Sequence, residues 1–309
     1  MKNIYDILAQ MTADKPKRMI LDTDTFNEVD DQFALAYAML LSKIPERKLE
    51  LLSVNAAPFL NKRSTSPLDG MQKSYDEIKR IVGFIDSDSK IPIYAGSAKF
   101  MESKDAPEES PAARNIIDTA LASDDTLYVV TIGAPTNVAA AITLCPEIKE
   151  KIVVVWLAGN ALHWPTAREF NMVQDIKSSQ IILDSGVPVA IIPCMGVCSA
   201  LTTTIPELEY YLRGKNKLCD YLIDIVADYP NLYGWDKMAW SKVIWDVSAV
   251  ACLMLPNSIQ RVVIPTPRLT DDCSYVQDYA RHPWIYVRHL NRDVIFADLF
   301  RVISSAEIK

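Results

Sequence analysis

The sequence predicts an α/β fold, an open, mostly parallel sheet with helices on both faces and a helical elaboration at its C-terminal end. Three observations predict it. Short apolar, β-branched runs alternate with helical patterns over roughly the first two hundred residues. After about residue 205 the pattern turns helical and returns to strand in one late pair. No repeat, low-complexity tract or linker interrupts the chain, so residues 1–309 read as a single α/β domain.

The elements follow in order. "RMILD" (18–22) is a short buried strand, and "DDQFALAYAML" (30–40) carries apolar residues at helical spacing. "ELLSVNAA" (50–57) is the second strand, followed by the polar loop "PFLNKRSTSPLDG" and a helix over 71–84. "KIPIYAG" (90–96) is a short strand, and the surface loop 102–113 leads into a helix over 114–122. "TLYVVTIG" (126–133) and "KIVVVWLAG" (151–159) are strands on either side of the helix opened by "PTNVAAAITL". "SSQIILDS" is a helix ending at Gly186, and "VPVAIIPC" the next strand. Residues 206–229 and 242–255 read as helices, and 259–264 with 284–289 as the late strand pair.

Composition narrows the function. Apolar residues make up 50% of the chain and charged ones 23%, enough for a sizeable core. The net charge is −7 with dispersed Lys and Arg, which argues against a nucleic-acid surface. The longest apolar run, 152–159, is far too short to cross a bilayer, so no membrane partner is expected. The amphipathic N-terminus has no apolar core or cleavage site of a signal peptide, and the cytoplasm is the expected address. Six cysteines, none in a CxxC pair, read as reduced buried thiols.

In an open parallel sheet, ligands gather at the carboxyl ends of the strands. The first strand carries Asp22, Asp24, Asp30 and Asp31 there, with Asn27 and Glu28 in the intervening loop. Further on come the Gly/Pro turn "TIGAPTN" and the polar loop "AGNALHWPTAREFN", and Asp246 stands alone in the apolar "VIWDVSAVACLML". Carboxylates so crowded raise one another's pKa and destabilise the fold unless a cation compensates them. Oxygen-only ligands suit Ca²⁺ or Mg²⁺, and flexible carboxylates plus a carbonyl favour Ca²⁺. A competing reading has Asp30 and Asp31 merely capping the helix that follows.

The strand-end aspartates, "TIGAPTN", "REFN" and "IWDVSAV" occur in an order that resembles the inosine-uridine-preferring nucleoside hydrolases, over roughly residues 18–255. The resemblance implies hydrolysis of the N-glycosidic bond of ribonucleosides by a Ca²⁺-bound water, a small-molecule nucleoside substrate and a place in purine salvage. It implies that Asp24 binds the ion and takes the proton from the water. Asp31, Asp246 and the carbonyl of Ile132 would complete the metal set. Asp30 would hold ribose hydroxyls, with Glu169 and Asn171 as further sugar contacts and His163 near the 5′-hydroxyl. Pro58 stands where the family usually has a sugar-contacting asparagine, with Asn61 as its substitute. Trp245 stands where many members carry a histidine and resembles the purine-specific branch, in which aromatic rings stack on the base. Trp164, Trp235 and Trp240 are further stacking candidates, and a homo-oligomer, dimer or tetramer, is expected.

Two other readings compete. "ILDTDT" fits the Asp-x-Asp-Thr signature of haloacid-dehalogenase-like phosphatases, with Asp22 as nucleophile and "TDDCS" (270–274) as the late acidic motif. The other is a non-catalytic ribose- or calcium-binding protein.

Overall fold

The computed structural model describes residues 3–308. The elements run α1 (Ile4–Thr12), β1 (Lys17–Thr23), α2 (Asp31–Ser42), β2 (Leu49–Ala56), α3 (Pro67–Ile85), β3 (Ile93–Ala95), α4 (Pro111–Leu121), β4 (Leu127–Thr131), α5 (Thr136–Leu144) and β5 (Ile152–Leu157). They continue with α6 (Phe170–Gln174), α7 (Ile176–Asp184), β6 (Val189–Ile192), β7 (Thr202–Thr203), α8 (Ile205–Leu212), α9 (Lys217–Tyr233), β8 (Lys242–Val243) and α10 (Val247–Met254). The chain closes with β9 (Ile259–Pro265), β10 (Arg268–Leu269), β11 (Tyr275–Val276), β12 (Pro283–Leu290) and α11 (Arg292–Ser304).

One eight-stranded sheet organises the fold, in the order β3-β2-β1-β4-β5-β6-β12-β9. All its neighbours are parallel except the β12–β9 pair, so the late strand pair joins the edge of the main sheet. The alternation of side chains along a strand sends Met19 and Leu21 to one face and Ile20 to the other. Both faces are covered, as a parallel sheet requires. On one side α1–α3 and α8–α11 share a core with Leu21, Val130, Val155 and Ile192. On the other, α4, α5 and α7 pack against Ile20, Val129, Val154 and Trp156. Helix α2 is buried from Asp31 to Leu41, which explains an apolar composition nearly all the way round.

Some boundaries differ from those the sequence suggests, each for a local reason. Helix α3 starts at Pro67 rather than 71, because Ser66 accepts the Asp69 N–H and Pro67 occupies the first turn. Helix α4 likewise starts at Pro111, capped by Ser110. The stretch 206–229 is two helices, α8 and α9, separated where Gly214 adopts φ +71°. The stretch 242–255 opens as strand β8, so Asp246 sits at the N-cap of α10 rather than along a helix.

The order of the strands places the site. From β1 the chain winds outward through β2 and β3, then returns to β4 and winds the other way through β5 and β6. The switch between β1 and β4 opens a crevice beyond the strands' carboxyl ends.

Candidate active site

A cavity of about 230 Å³ lies in that crevice. The loop after β1 supplies Asn27, Glu28, Asp30 and Asp31, the exit of β4 supplies Ile132, and β5 ends in Leu157 with Asn160 beyond it. Arg168, Glu169, Phe170 and Asn171 form another wall, Cys194 and Met195 follow β6, and Trp245 and Asp246 precede α10.

Carboxylates dominate its floor. One oxygen each from Asp30, Asp31 and Asp246 lie within 4.8 Å of one another, and all three residues are buried. Asp30 and Asp246, each at an N-cap position, make no side-chain capping bond, while Asp31 sits in the first turn of α2. Asp30 instead accepts the Trp245 N–H at 2.9 Å through Oδ2, tying the loop after β1 to the segment before α10. Asp31 accepts from the Thr23 hydroxyl at 2.5 Å. Two helix N-termini, those of α2 and α10, converge on the cluster with their positive ends.

Asp24 lies outside both the cavity wall and the three-carboxylate cluster, and it has no such partners. Both its carboxylate oxygens are buried without a hydrogen bond, as is Oδ1 of Asp30. The bend after β4 lets Asp24 in, because a Cβ at Gly133 would come within 3.0 Å of its carboxylate. A buried carboxylate without donors is costly, and its neighbours make it more so. Burial, then Asp31, pushes the Asp24 pKa well above the ordinary carboxylate range. Burial and then Asp30 raise Asp31 to about 7. Burial, Asp30 and Asp31 together raise Asp246 well above its usual range. This donor set, acidic and oxygen-only with orphaned lone pairs, fits a hard divalent cation.

The remaining anticipated residues fall into two groups. Asn171 lines the cavity and donates to the carbonyls of Ile132 (3.0 Å) and Leu157 (3.1 Å), bracing the ends of β4 and β5. Glu169 also lines it but caps α6, accepting the N–H groups of Asn171, Met172 and Gly159. Burial, opposed by those N–H groups, raises its pKa to about 7. Trp245 is the tryptophan in the cavity wall. Asn61 and His163 stand outside the wall. The Asn61 amide donates to Asn27 at 2.6 Å, so Asn27 is the amide presented to the cavity. His163 is exposed and lies against Gly196. Of the other tryptophans, Trp235 stacks on Tyr233 with centroids 4.7 Å apart, Trp240 packs on the core, and Trp164 is 39% exposed.

Lys242 is the residue that sequence reasoning missed. It is 6% exposed, and its ammonium donates to Glu28 and lies 3.4 Å from Asp30 Oδ1 without hydrogen-bond alignment. Burial alone would lower its pKa, but Asp30 and Glu28 outweigh burial and raise it. Its only sequence signal is a lysine directly before an apolar run. Lys242 stands behind the wall rather than in it; Asn27, Glu28, Asn160, Arg168, Phe170, Cys194 and Met195 line the cavity beside the anticipated residues, Asn27 and Glu28 from the acidic loop.

Asp22 points elsewhere. Its carboxylate accepts from Asn137 Nδ2 at 3.0 Å and Thr131 Oγ1 at 3.4 Å, and it is fully buried within the sheet. Its carboxylate is therefore committed to donors within the sheet, and Asp22 and the "TDDCS" aspartates, Asp271 and Asp272, lie outside the cavity wall. No described helix is long and apolar enough to cross a membrane, and the six cysteines are free thiols, five of them buried.

Comparison with known proteins adds the family. Residues 19–291 match the profile of the inosine-uridine preferring nucleoside hydrolases. A pyrimidine-specific ribonucleoside hydrolase of Escherichia coli is 32% identical over 87 residues, 27% of this chain. That match spans only 28% of the relative's length. The purine-preferring ribonucleoside hydrolase from Gardnerella vaginalis superposes with a TM-score of 0.75 at 21% identity, covering 94% of this chain and 99% of that one. A plant nucleoside hydrolase gives 0.73 at 18% identity, covering 94% and 99%. At those identities the likeness establishes the fold.

Proposed function

This chain belongs to the inosine-uridine preferring nucleoside hydrolase family, and we propose that it hydrolyses the N-glycosidic bond of ribonucleosides to ribose and free base. The observation that carries the reading is the buried cluster of Asp30, Asp31 and Asp246 in the cavity floor, with the fully buried Asp24, whose two oxygens are orphaned, interacting with Asp31 and Asp30 behind the wall. Asp24, Asp31, Asp246 and the carbonyl of Ile132 would hold the ion, which we take to be Ca²⁺. The Ile132 carbonyl keeps a second lone pair after accepting from Asn171. A hard divalent cation bound there supplies Lewis-acid activation of water at neutral pH.

The chain's own residues account for the rest. Asp24 is the general base, since its carboxylate has no competing donor to satisfy. Asp30 is held by Trp245 N–H and Lys242 in an orientation that leaves Oδ1 for a ribose hydroxyl. Asn171, fixed by two carbonyls, and Glu169 bound the other side of the sugar. As the C–N bond breaks, positive charge develops on the ring, and a carboxylate-lined cavity stabilises it more than the neutral ground state.

The two kinds of relative differ over the base, so that choice rests on this chain's own wall. Trp245 is the indole in that wall, and stacking on a purine favours its departure; we assign a purine preference on this ground. Among the described residues no histidine lines the cavity, which leaves a pyrimidine without an obvious proton donor. Purine salvage and a cytoplasmic, homo-oligomeric enzyme are parts of the same proposal. The test is ribose release from inosine, adenosine, uridine and their 2′-deoxy forms. Purine ribonucleosides should be cleaved fastest, and nucleoside binding without base release would favour a non-catalytic ribose-binding protein instead.

A further inference from the structure

Lys242 is placed deliberately by the fold. Strand β8 pairs antiparallel with β7, setting Lys242 opposite Thr203, and the Ile244 N–H bonds the Leu201 carbonyl at 2.8 Å. The side chain then turns into the molecule rather than toward solvent. Its ammonium meets Glu28, Asp30 Oδ1 at 3.4 Å, and the face of the Tyr229 ring, with 5.2 Å to the centroid. Burying an ammonium is expensive, and these partners offset that cost only where they remain charged and in place. No other lysine or arginine among the described residues lies within 4.0 Å of Asp24, Asp30, Asp31 or Asp246.

We propose that Lys242 is a resident counter-cation of the acidic floor, which moderates the charge offered to a divalent ion and positions Asp30 for the ribose. This rests on the hydrolase reading above and deepens it. Two consequences follow from the geometry. First, Lys242 repels any cation held by the carboxylates, so removing its charge must tighten ion binding. A merely structural lysine would do the opposite, since its loss would loosen the loop carrying Glu28 and Asp30. Second, Asp30 has two anchors, the Trp245 N–H and Lys242. Without Lys242, Oδ1, which has no aligned hydrogen bond of its own, loses the neighbouring charge that orients it, and the sugar is held less well.

The experiment is Ca²⁺ titration calorimetry on metal-stripped protein, with KM and kcat for inosine measured beside it. Lys242→Met should tighten Ca²⁺ binding at least tenfold while raising KM at least threefold. Lys242→Arg, which keeps the charge, should restore both to within threefold of wild type. The same removal is made in a Glu28→Gln background, where a neutral pair replaces the ion pair and the half-buried Glu28 carboxylate is not left unpaired. There too, deleting Lys242 should tighten Ca²⁺ relative to Glu28→Gln alone. Unchanged or weaker Ca²⁺ binding in both backgrounds overturns the proposal. A wild-type protein that neither binds Ca²⁺ nor cleaves inosine overturns the hydrolase reading itself, so the two failures are distinct.

Discussion

Replacing Asp246 by asparagine should make the metal-free protein more stable and the Ca²⁺-loaded protein less stable than wild type. Asparagine keeps the volume of the side chain and removes its charge. One oxygen of Asp246 lies within 4.8 Å of oxygens from both Asp30 and Asp31. At an effective dielectric constant of about 20, each such pair of charges repels by about 3.5 kcal/mol, so an ionised Asp246 is disfavoured by about 7 kcal/mol. It escapes by taking up a proton. Starting from its ordinary value of 3.8, that costs about 1.4 kcal/mol per pH unit, or about 5 kcal/mol at pH 7.5. The cheaper route sets the ceiling, and the nearby Lys242 ammonium lowers it. We expect roughly 2–4 kcal/mol of stabilisation in EDTA, or a rise in Tm of about 3–6 °C for a chain of this length. In saturating Ca²⁺ the order should reverse, because wild type gains the free energy of ion binding and the variant loses much of it. Thermal unfolding of both proteins in EDTA and in Ca²⁺ reads out the crossing. A variant that melts below wild type in EDTA, or that gains as much from Ca²⁺, refutes the reasoning.

Asn171→Ala strips the Ile132 and Leu157 carbonyls of their shared donor and should cost about 1–3 kcal/mol per orphaned group, seen as a lower Tm and a fall in kcat/KM on inosine of at least tenfold. Trp245→Ala should lower cleavage of inosine by about 10-fold or more while leaving Ca²⁺ affinity within a few-fold, since Trp245 holds Asp30 through its backbone N–H, which alanine keeps. Uridine cleaved as fast as inosine by wild type would defeat the stacking argument. The metal-free protein should lose stability as pH rises from about 4 to 7. Asp22 and Glu169 have pKa values raised to about 7, so the folded state holds protons there that the unfolded chain has already released. Each contributes about 1.4 kcal/mol per pH unit across that window, measurable by denaturant titration in EDTA.

Much of the fold was legible because parallel strands buried on both faces announce themselves as apolar β-branched runs. Helix starts are less so: Ser66-Pro67 and Ser110-Pro111 look like loop in composition, although the serine hydroxyls cap the helices and the prolines open them. The acidic floor was visible because the loop after β1 concentrates its charge within a few positions. Asp246 was noticed as a carboxylate in an apolar segment, and its N-cap position explains how it reaches the same floor. Asn61 shows the opposite case, since a polar residue at the right distance along the chain spends its amide on Asn27. Lys242 has no local signature, because its role depends on β7–β8 pairing, a contact about forty residues apart.

The central claim is that a divalent ion held by this floor and ribonucleoside hydrolysis are one event. Titrating Ca²⁺ into metal-stripped protein, with bound ion and ribose release from inosine followed in the same samples, tests it most directly. Ribose release should be absent in EDTA and rise in step with occupancy, saturating as a single ion fills the site, with Asp24→Asn losing both. Undiminished ribose release in EDTA, or full ion occupancy without any ribose from any ribonucleoside, would contradict it.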